Sequence, residues 1–521
     1  MKKVIIVGAG PAGLTAAYKL LKESKDYEVI ILEKSYKLGG ISRSVNVNGY
    51  IFDTGIHRFF SKNSEINNIW EEILPIQGKP SYDDLKLNRV KNYSEYGPDP
   101  EKLDKVMLIK DRVTRIYYGK KFYDYPVSLN KTTIKNMGFL NIVLVGFSYL
   151  KSCIFKRDEK SLEDLYINKF GKKLYNMFFK NYTYKVWGIK PSEISPDWGE
   201  QRVKGISIKE ILKDIIRKKF RKKNKENTET SLIESFIYPK LGTIQMWDEM
   251  ALKIKEMGGK IYLNSSCIGI TLKNNQVKEI EYLKDGNIIK EKVDIFISSM
   301  PIKDLFLSLK GIKVPKKIFD IATNLPYRDF MSVCLVVNKL KLKNNTKFKT
   351  INNIIPDSWI YIQEPEVLLG RVQIFNNWSP YIFKNKKDIE NKVMLSLEYF
   401  ANSDDKYYNM LDQDFIEFAK NEAIKIGLID VNVKVEESVR IKIPKAYPAY
   451  FGTYKDISQV INYLNKIKNL YCIGRNGQHR YNNMDHSMLT GIEVVNIILN
   501  NIKTKDNIWK VNTEKEYHEK K

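Results

Sequence analysis

The chain is poor in the residues that build metal sites and covalent frameworks: its 521 residues include four cysteines and four histidines. Cys153, Cys267, Cys334 and Cys472 lie far apart and form no C-x-x-C, which excludes a disulfide scaffold and predicts reduced, mostly buried thiols. The histidines, at 57, 479, 486 and 518, have no ligand-like spacing, so no structural zinc site is expected. There is no internal repeat and no nucleic-acid-binding module, which sets nucleic acid aside as a partner. Acidic residues are outnumbered 61 to 87, for a net charge of +26. A surface of that sign favours anionic partners such as nucleotide diphosphates, acidic glycans or a membrane face. The first strand begins at once, leaving no room for a cleavable leader, so a cytoplasmic location is expected.

What is present starts at residue 3. KVIIVGAGPAG is an apolar run that stops at Gly8, Gly10 and Gly13 in G-x-G-x-x-G spacing, and Glu33 closes the strand VIILE about twenty residues on. This is the pattern of a dinucleotide-binding βαβ unit. Gly8 permits the tight turn, Gly10 the backbone's approach to a pyrophosphate, and Gly13 close packing of helix on strand. The helix that follows offers its N-terminal amides to the phosphates, and Glu33 can accept from a ribose hydroxyl.

The segment after Glu33 narrows the choice. Gly39 and Gly40 precede Ser42 and Arg43, and the chain runs on to Asp53, Gly55 and His57. This GG-x-x-R continuation resembles the FAD signature of the flavin amine oxidase, protoporphyrinogen oxidase and UDP-galactopyranose mutase superfamily. The resemblance implies FAD as cofactor, with Gly40 and Arg43 beside its diphosphate.

Length suggests two to four domains, and the 43% apolar and 12% aromatic content a globular chain. The expected fold is α/β: a Rossmann-type FAD-binding domain assembled from separated segments, with an inserted α+β substrate domain. The FAD-binding parts are expected at 1–79, 235–301 and 445–502, the mainly helical and strand-rich parts of the substrate domain at 80–234 and 302–444, and a polar, frayed tail at 503–521. In the second FAD-binding part, Asn274 and Asn275 mark a hairpin, and VDIFISSMP, carrying Ser299, resembles the superfamily strand that passes under the FAD. Met137 to Phe155 is apolar except for Lys151 and a few small polar residues, at the short limit for a spanning helix. It is expected to be a buried or partner-covered helix, with an interfacial membrane contact, helped by Lys156 and Arg157, as the alternative. A span is rejected because it would split the dinucleotide-binding domain between compartments. The basic run from Arg217 to Asn227 is expected to be a solvated loop.

Two further stretches resemble the mutases within that superfamily. NYTYKVWGIKPSEISPDWGEQRVKG, from Asn181, is similar to a YT-x-K-x-WG segment followed by an arginine. The resemblance implies that Thr183 and Trp187 line a nucleotide pocket and that Arg202 reaches the diphosphate or flavin. The AYPAY and GRNGQHRYNNMDH stretches are similar to paired segments that place Tyr447 and Tyr481 on sugar-nucleotide phosphates and Arg475 beside the flavin, and His57 matches a histidine near the isoalloxazine. Phe60 and Asn483 depart from the mutase pattern, where a second histidine and an aspartate are usual, so a different nucleotide sugar or a lipid-carried glycan fits equally well. The implied activity is pyranose–furanose isomerisation with reduced flavin as the covalent catalyst, with no acid–base–nucleophile triad required. The alternative is a net oxidoreductase taking a hydride from an amine, alcohol or porphyrinogen-like carbon. Expected partners are a nucleotide sugar or other small molecule and an external flavin reductant; the oligomeric state is left open.

Overall fold

The computed structural model describes residues 1–125, 127, 131–196, 198–199 and 235–513. Two sheets organise them. The first is parallel, in the order Leu470–Cys472, Ile295–Ser298, Lys2–Val7, Tyr27–Leu32, Lys260–Tyr262. Its central strands are apolar on both faces, as a sheet covered on both sides requires. The helix Pro11–Glu23 covers one face with Ile244–Glu256 and Met484–Leu499, and the helices Ile302–Ser308 and Lys316–Thr323 lie on the other. Three separated segments therefore build one Rossmann-type domain.

The second sheet has seven strands, in the order Val435–Pro448, Tyr327–Val337, Val393–Ala401, Arg371–Ile374, Trp359–Ile362, Thr114–Tyr118, Lys121–Asp124. It is antiparallel except where Trp359–Ile362 runs parallel to Thr114–Tyr118. One face packs under the helix Asp412–Lys425; the other, with the helices Leu162–Phe178 and Lys180–Trp187, turns toward the Rossmann domain. Asp53 ties the two halves of the dinucleotide domain together. It is buried and accepts from Ser44 Oγ at 2.6 Å, Tyr238 Oη at 2.7 Å, the Thr243 amide at 3.1 Å and the Thr243 hydroxyl.

Several expectations shift. Residues 302–325, expected in the substrate domain, bury Ile302, Leu305, Phe306 and Ile321 with Ile5, Val7 and Phe296 of the Rossmann sheet. The strand Val435–Pro448 carries the substrate sheet past the expected boundary at 445, and Thr114–Tyr118 adds a strand to a segment expected to be mainly helical. The tail is docked through Thr513 rather than frayed from 503. Lys505 Nζ donates to the Ile467 and Leu470 carbonyls at 2.5 and 2.7 Å, Arg480 donates to the Trp509 and Val511 carbonyls, and Ile508 is buried. The hairpin turns where expected, with Asn274 and Asn275 both at positive φ, the geometry of the tight two-residue turn. All four cysteines are free; burial pushes the thiols of Cys267, Cys334 and Cys472 up to about 12. Among the described residues no helix is long and apolar enough to cross a membrane. The run Arg217–Asn227 lies outside the described residues.

Candidate active site

The C-terminal ends of the parallel strands meet at Gly8, Glu33, Ser299 and Gly474, the crevice where open α/β sheets bind ligands. The three fingerprint glycines are not equivalent. Gly8 sits at φ +102°, and a Cβ there would come within 2.0 Å of Ser299 Oγ; one on Gly13 would lie 2.0 Å from the Gly8 carbonyl oxygen. Both are glycine because the protein's own packing leaves no room. A Cβ on Gly10 would meet nothing nearer than Gly40 Cα at 3.7 Å, so the space that Gly10 and Gly40 keep free is available to a ligand's backbone-hugging group. No side chain caps the helix that starts at Pro11 and no acidic residue lies in its first turn, which leaves its amides for an anion.

Glu33 is buried, and its two carboxylate oxygens accept from the Ala9 and Ser35 amides, each at 2.8 Å. It therefore pins the glycine turn while keeping lone pairs for a hydroxyl. Arg43 Nη1 donates to Ser35 Oγ at 2.9 Å. Ser299 donates its amide and hydroxyl to the Val7 carbonyl at 2.9 and 2.8 Å, closing the strand ends together. The helix Met484–Leu499 begins beside the Gly39–Arg43 loop, where Ser42 Oγ lies 2.7 Å from Met484 Sδ.

Facing this cradle is a cluster of cations and phenols. Arg475 Nη1 donates to the Asn482 carbonyl at 3.3 Å, and the guanidinium lies 4.1 Å from the ring centre of Tyr481 and 4.8 Å from that of Tyr447. The two tyrosine rings stack at 5.5 Å. Tyr447 Oη accepts from Arg371 Nη2 at 2.9 Å, while Arg371 Nε donates to the buried Glu398, whose other oxygen accepts from Gln373 Nε2 at 2.7 Å. Arg371 and Glu398 are opposite each other in register, so sheet pairing itself builds the ion pair. Tyr182, in the helix Lys180–Trp187, is near enough to Arg371 to feel its charge. Burial raises the phenols of Tyr182 and Tyr447, keeping them as O–H donors. His57 stands at the same spot: desolvation, then the positive fields of Arg475 and Arg371, push its imidazole down to about 3, so it is neutral in ordinary buffers. Two buried nitrogens here, His57 Nδ1 and Arg475 Nε, have no hydrogen-bond partner among the described residues, which fits a site that a ligand completes.

Thus His57, Tyr447, Tyr481 and Arg475 come together, opposite the cradle of Gly8, Gly10, Gly13, Glu33, Gly40, Arg43 and Ser299. Arg202 lies outside the described residues. Thr183 and Trp187 lie in the short helix Lys180–Trp187, and Trp187 shares an apolar cluster with Tyr447. Both are almost fully buried on the inner stripe of their helix with Val186, and Trp187 packs edge-on against Trp198 at 5.3 Å. Tyr182 instead looks toward the cations. Lys185 is a clamp, donating to the Ile362, Glu364 and Leu369 carbonyls at 3.2, 2.7 and 3.0 Å, with burial pushing it down to about 8. Arg371, Glu398 and Tyr182 are the site residues that sequence reasoning missed.

Residues 6–73 match the NAD(P)-binding Rossmann-like domain family. The chain is 35% identical over 88 residues to protoporphyrinogen oxidase 2 of Arabidopsis thaliana, covering 16% of this chain and 17% of that protein. It is 26% identical over 203 residues to the Klebsiella pneumoniae protein named "Probable UDP-galactopyranose mutase", covering 37% of this chain and 43% of that one. These matches span less than half of either relative. A crystal structure of reduced UDP-galactopyranose mutase superposes with a TM-score of 0.75 at 22% identity over 99% of this chain and 100% of the other, a likeness of fold. Residues 6–73 thus form a Rossmann-like domain of the NAD(P)-binding family, and the chain as a whole shares its fold with crystal structures of a UDP-galactopyranose mutase, a putative protoporphyrinogen oxidase and a putrescine oxidase.

Proposed function

We propose that the chain binds FAD in the Gly8–Glu33–Gly40–Ser299 cradle and interconverts the pyranose and furanose forms of a nucleotide sugar. The observation that carries this reading is the pairing of Arg371 and Arg475 with the phenols of Tyr182, Tyr447 and Tyr481 beside the cradle. Glu398 balances Arg371, so Arg475 leaves the cluster net positive, and protonated phenols supply donors for phosphate oxygens. The Gly10–Gly40 gap, the uncapped helix and Glu33 suit the diphosphate and ribose of FAD, and Arg43 lies beside them. When bound, reduced flavin supplies a nucleophile at a sugar carbon and is regenerated unchanged. The protein's own task is to hold the departing nucleotide diphosphate where it can return. Tyr447 and Tyr481 would donate to it, Arg475 and Arg371 would neutralise it, and neutral His57 would add a hydrogen bond without a charge.

Two features weigh against an amine-oxidising reading of the same fold. An ammonium substrate would enter a cluster that already carries two guanidinium groups. Rings stacked at 5.5 Å also leave no room for a group between them, since van der Waals contact on both sides needs a gap of about 7 Å. The test is incubation of dithionite-reduced protein with a panel of nucleotide sugars, resolving ring forms by chromatography. Ring interconversion without stoichiometric consumption of an electron donor is expected. Oxygen uptake or donor oxidation matched to product would replace this reading with the oxidoreductase one.

A further inference from the structure

The helix Phe139–Ile154 presents an apolar face to water. Val145, Tyr149 and Ser152 are its buried edge. Gly171 breaks the neighbouring helix at φ +79°, where a Cβ would lie 2.9 Å from the Tyr149 backbone, so the two helices dock closely, and Ser148 Oγ accepts from the Lys173 amide at 3.0 Å. The helix is therefore held firmly by one side. On the other, Phe139, Leu140, Val143, Leu144, Phe147, Leu150 and Ile154 follow the i, i+3, i+4, i+7 spacing of a single face, and Phe155 continues it; each is between 37% and 78% exposed. Scattered exposed leucines need no explanation, but a contiguous apolar stripe marks an interaction surface.

Charge identifies the occupant. Residues 131–157 contain five basic and no acidic residues, and Lys135, Lys151 and Lys156 are exposed around the stripe. A second copy of this chain would bring the same cations against themselves. An anionic bilayer surface offers apolar depth for the stripe and negative charge for its rim. At 16 residues the helix is about 24 Å long, too short to cross a hydrocarbon core of about 30 Å but suited to lying in the interface plane. Its first turn borders a cleft of about 250 Å³ lined by Tyr118, Lys121, Asn136, Asn141 and Lys173, whose two lysines add positive charge at that end of the stripe. We propose that this face binds peripherally to anionic membrane, with Phe147, Leu144 and Leu140 embedded and the lysines at headgroup level.

The test is co-sedimentation of the 521-residue, flavin-loaded protein with vesicles of phosphatidylcholine alone or with one third phosphatidylglycerol. Association is expected with the anionic vesicles and at least about tenfold weaker with neutral ones. Leu144→Glu combined with Phe147→Glu should abolish it while flavin content and circular dichroism stay as in the parent, because both side chains already face water. Lys151→Gln and Lys156→Gln should each weaken it about fivefold. Failure of the parent to bind anionic vesicles, equal binding to neutral ones, or undiminished binding by the double variant would overturn the proposal. So would a dimer in sedimentation analysis that the double variant dissolves with no vesicle association in the parent.

Discussion

The two walls of the candidate site are built on different principles. The Rossmann wall is made of backbone: glycines at 8, 10, 13 and 40, an uncapped helix terminus, and one buried carboxylate that holds the turn. The opposite wall is made of side chains from five separate segments, namely Tyr182, Arg371, Glu398, Tyr447, and Arg475 with Tyr481. A backbone cradle recognises what every dinucleotide shares, phosphate and ribose, and tolerates no added atoms. A side-chain wall selects by charge and hydrogen bonding, and single atoms can be removed from it without moving the chain.

The sharpest way to break that contrast is to add one methyl group to each side of the fingerprint. Gly13→Ala places a Cβ 2.0 Å from a backbone oxygen that cannot swing away, so loss of soluble, folded protein is expected. Gly10→Ala puts its Cβ no nearer the protein than 3.7 Å, at Gly40 Cα; circular dichroism should stay native while flavin retention is lost, because the methyl group fills the ligand's space. Equal behaviour of the two variants would dissolve the distinction between glycines needed by the fold and glycines needed by the ligand.

On the other wall, Arg371→Met strands Glu398 in a buried setting. Removing one partner of a buried pair costs about 3–5 kcal/mol, readable by urea denaturation. Combining Arg371→Met with Glu398→Gln should recover most of that stability but none of the affinity for nucleotide sugar; recovery of both would make the pair purely structural. Tyr447→Phe and Tyr481→Phe are milder still. Each keeps the ring stack and removes one donor, so full flavin content and an affinity loss of about tenfold to a hundredfold are expected, the worth of about 1.5–3 kcal/mol for a bond to a charged phosphate.

A separate effect concerns protons. His57 is pushed down to about 3 and His479, buried with Nε2 3.1 Å from the Ala449 carbonyl oxygen, to about 4, both from 6.5. As pH falls below about 6.5 the unfolded chain takes up protons that the folded one does not, so stability should decline between pH 6.5 and 4. Thermal melts across that range should show the decline, and His479→Asn, whose side chain tolerates the positive φ of that position, should flatten it. A slope unchanged in the variant would remove His479 from the account.

The backbone wall was legible because its signal is local: glycines, a strand and an acid in fixed spacing need no knowledge of distant residues. The side-chain wall was legible only where a short segment resembles a known one, as for His57, Tyr447, Arg475 and Tyr481. Arg371 was hidden because its role comes from register, opposite a glutamate 27 residues away. A trace was present: Arg371 and Glu398 are lone charges of opposite sign in otherwise uncharged strands, RVQI and VMLSLEYFA. Helical period carried the other missed signal, since Thr183, Val186 and Trp187 recur at i, i+3 and i+4 on one buried stripe and Tyr182 does not belong to it. The exposed stripe of Phe139–Ile154 defeated composition-based reading for a third reason: apolar content says that a helix must be covered, not by what.

The central claim is that the side-chain wall is a diphosphate site beside a flavin site, and a titration of the flavin-loaded protein with uridine, UMP and UDP tests it most directly. UDP is expected to bind at least about tenfold more tightly than UMP, and UMP more tightly than uridine, as each added phosphate engages Arg475, Arg371 and the tyrosine hydroxyls. Equal affinity for the three, or no binding of any while flavin content is full, would contradict it.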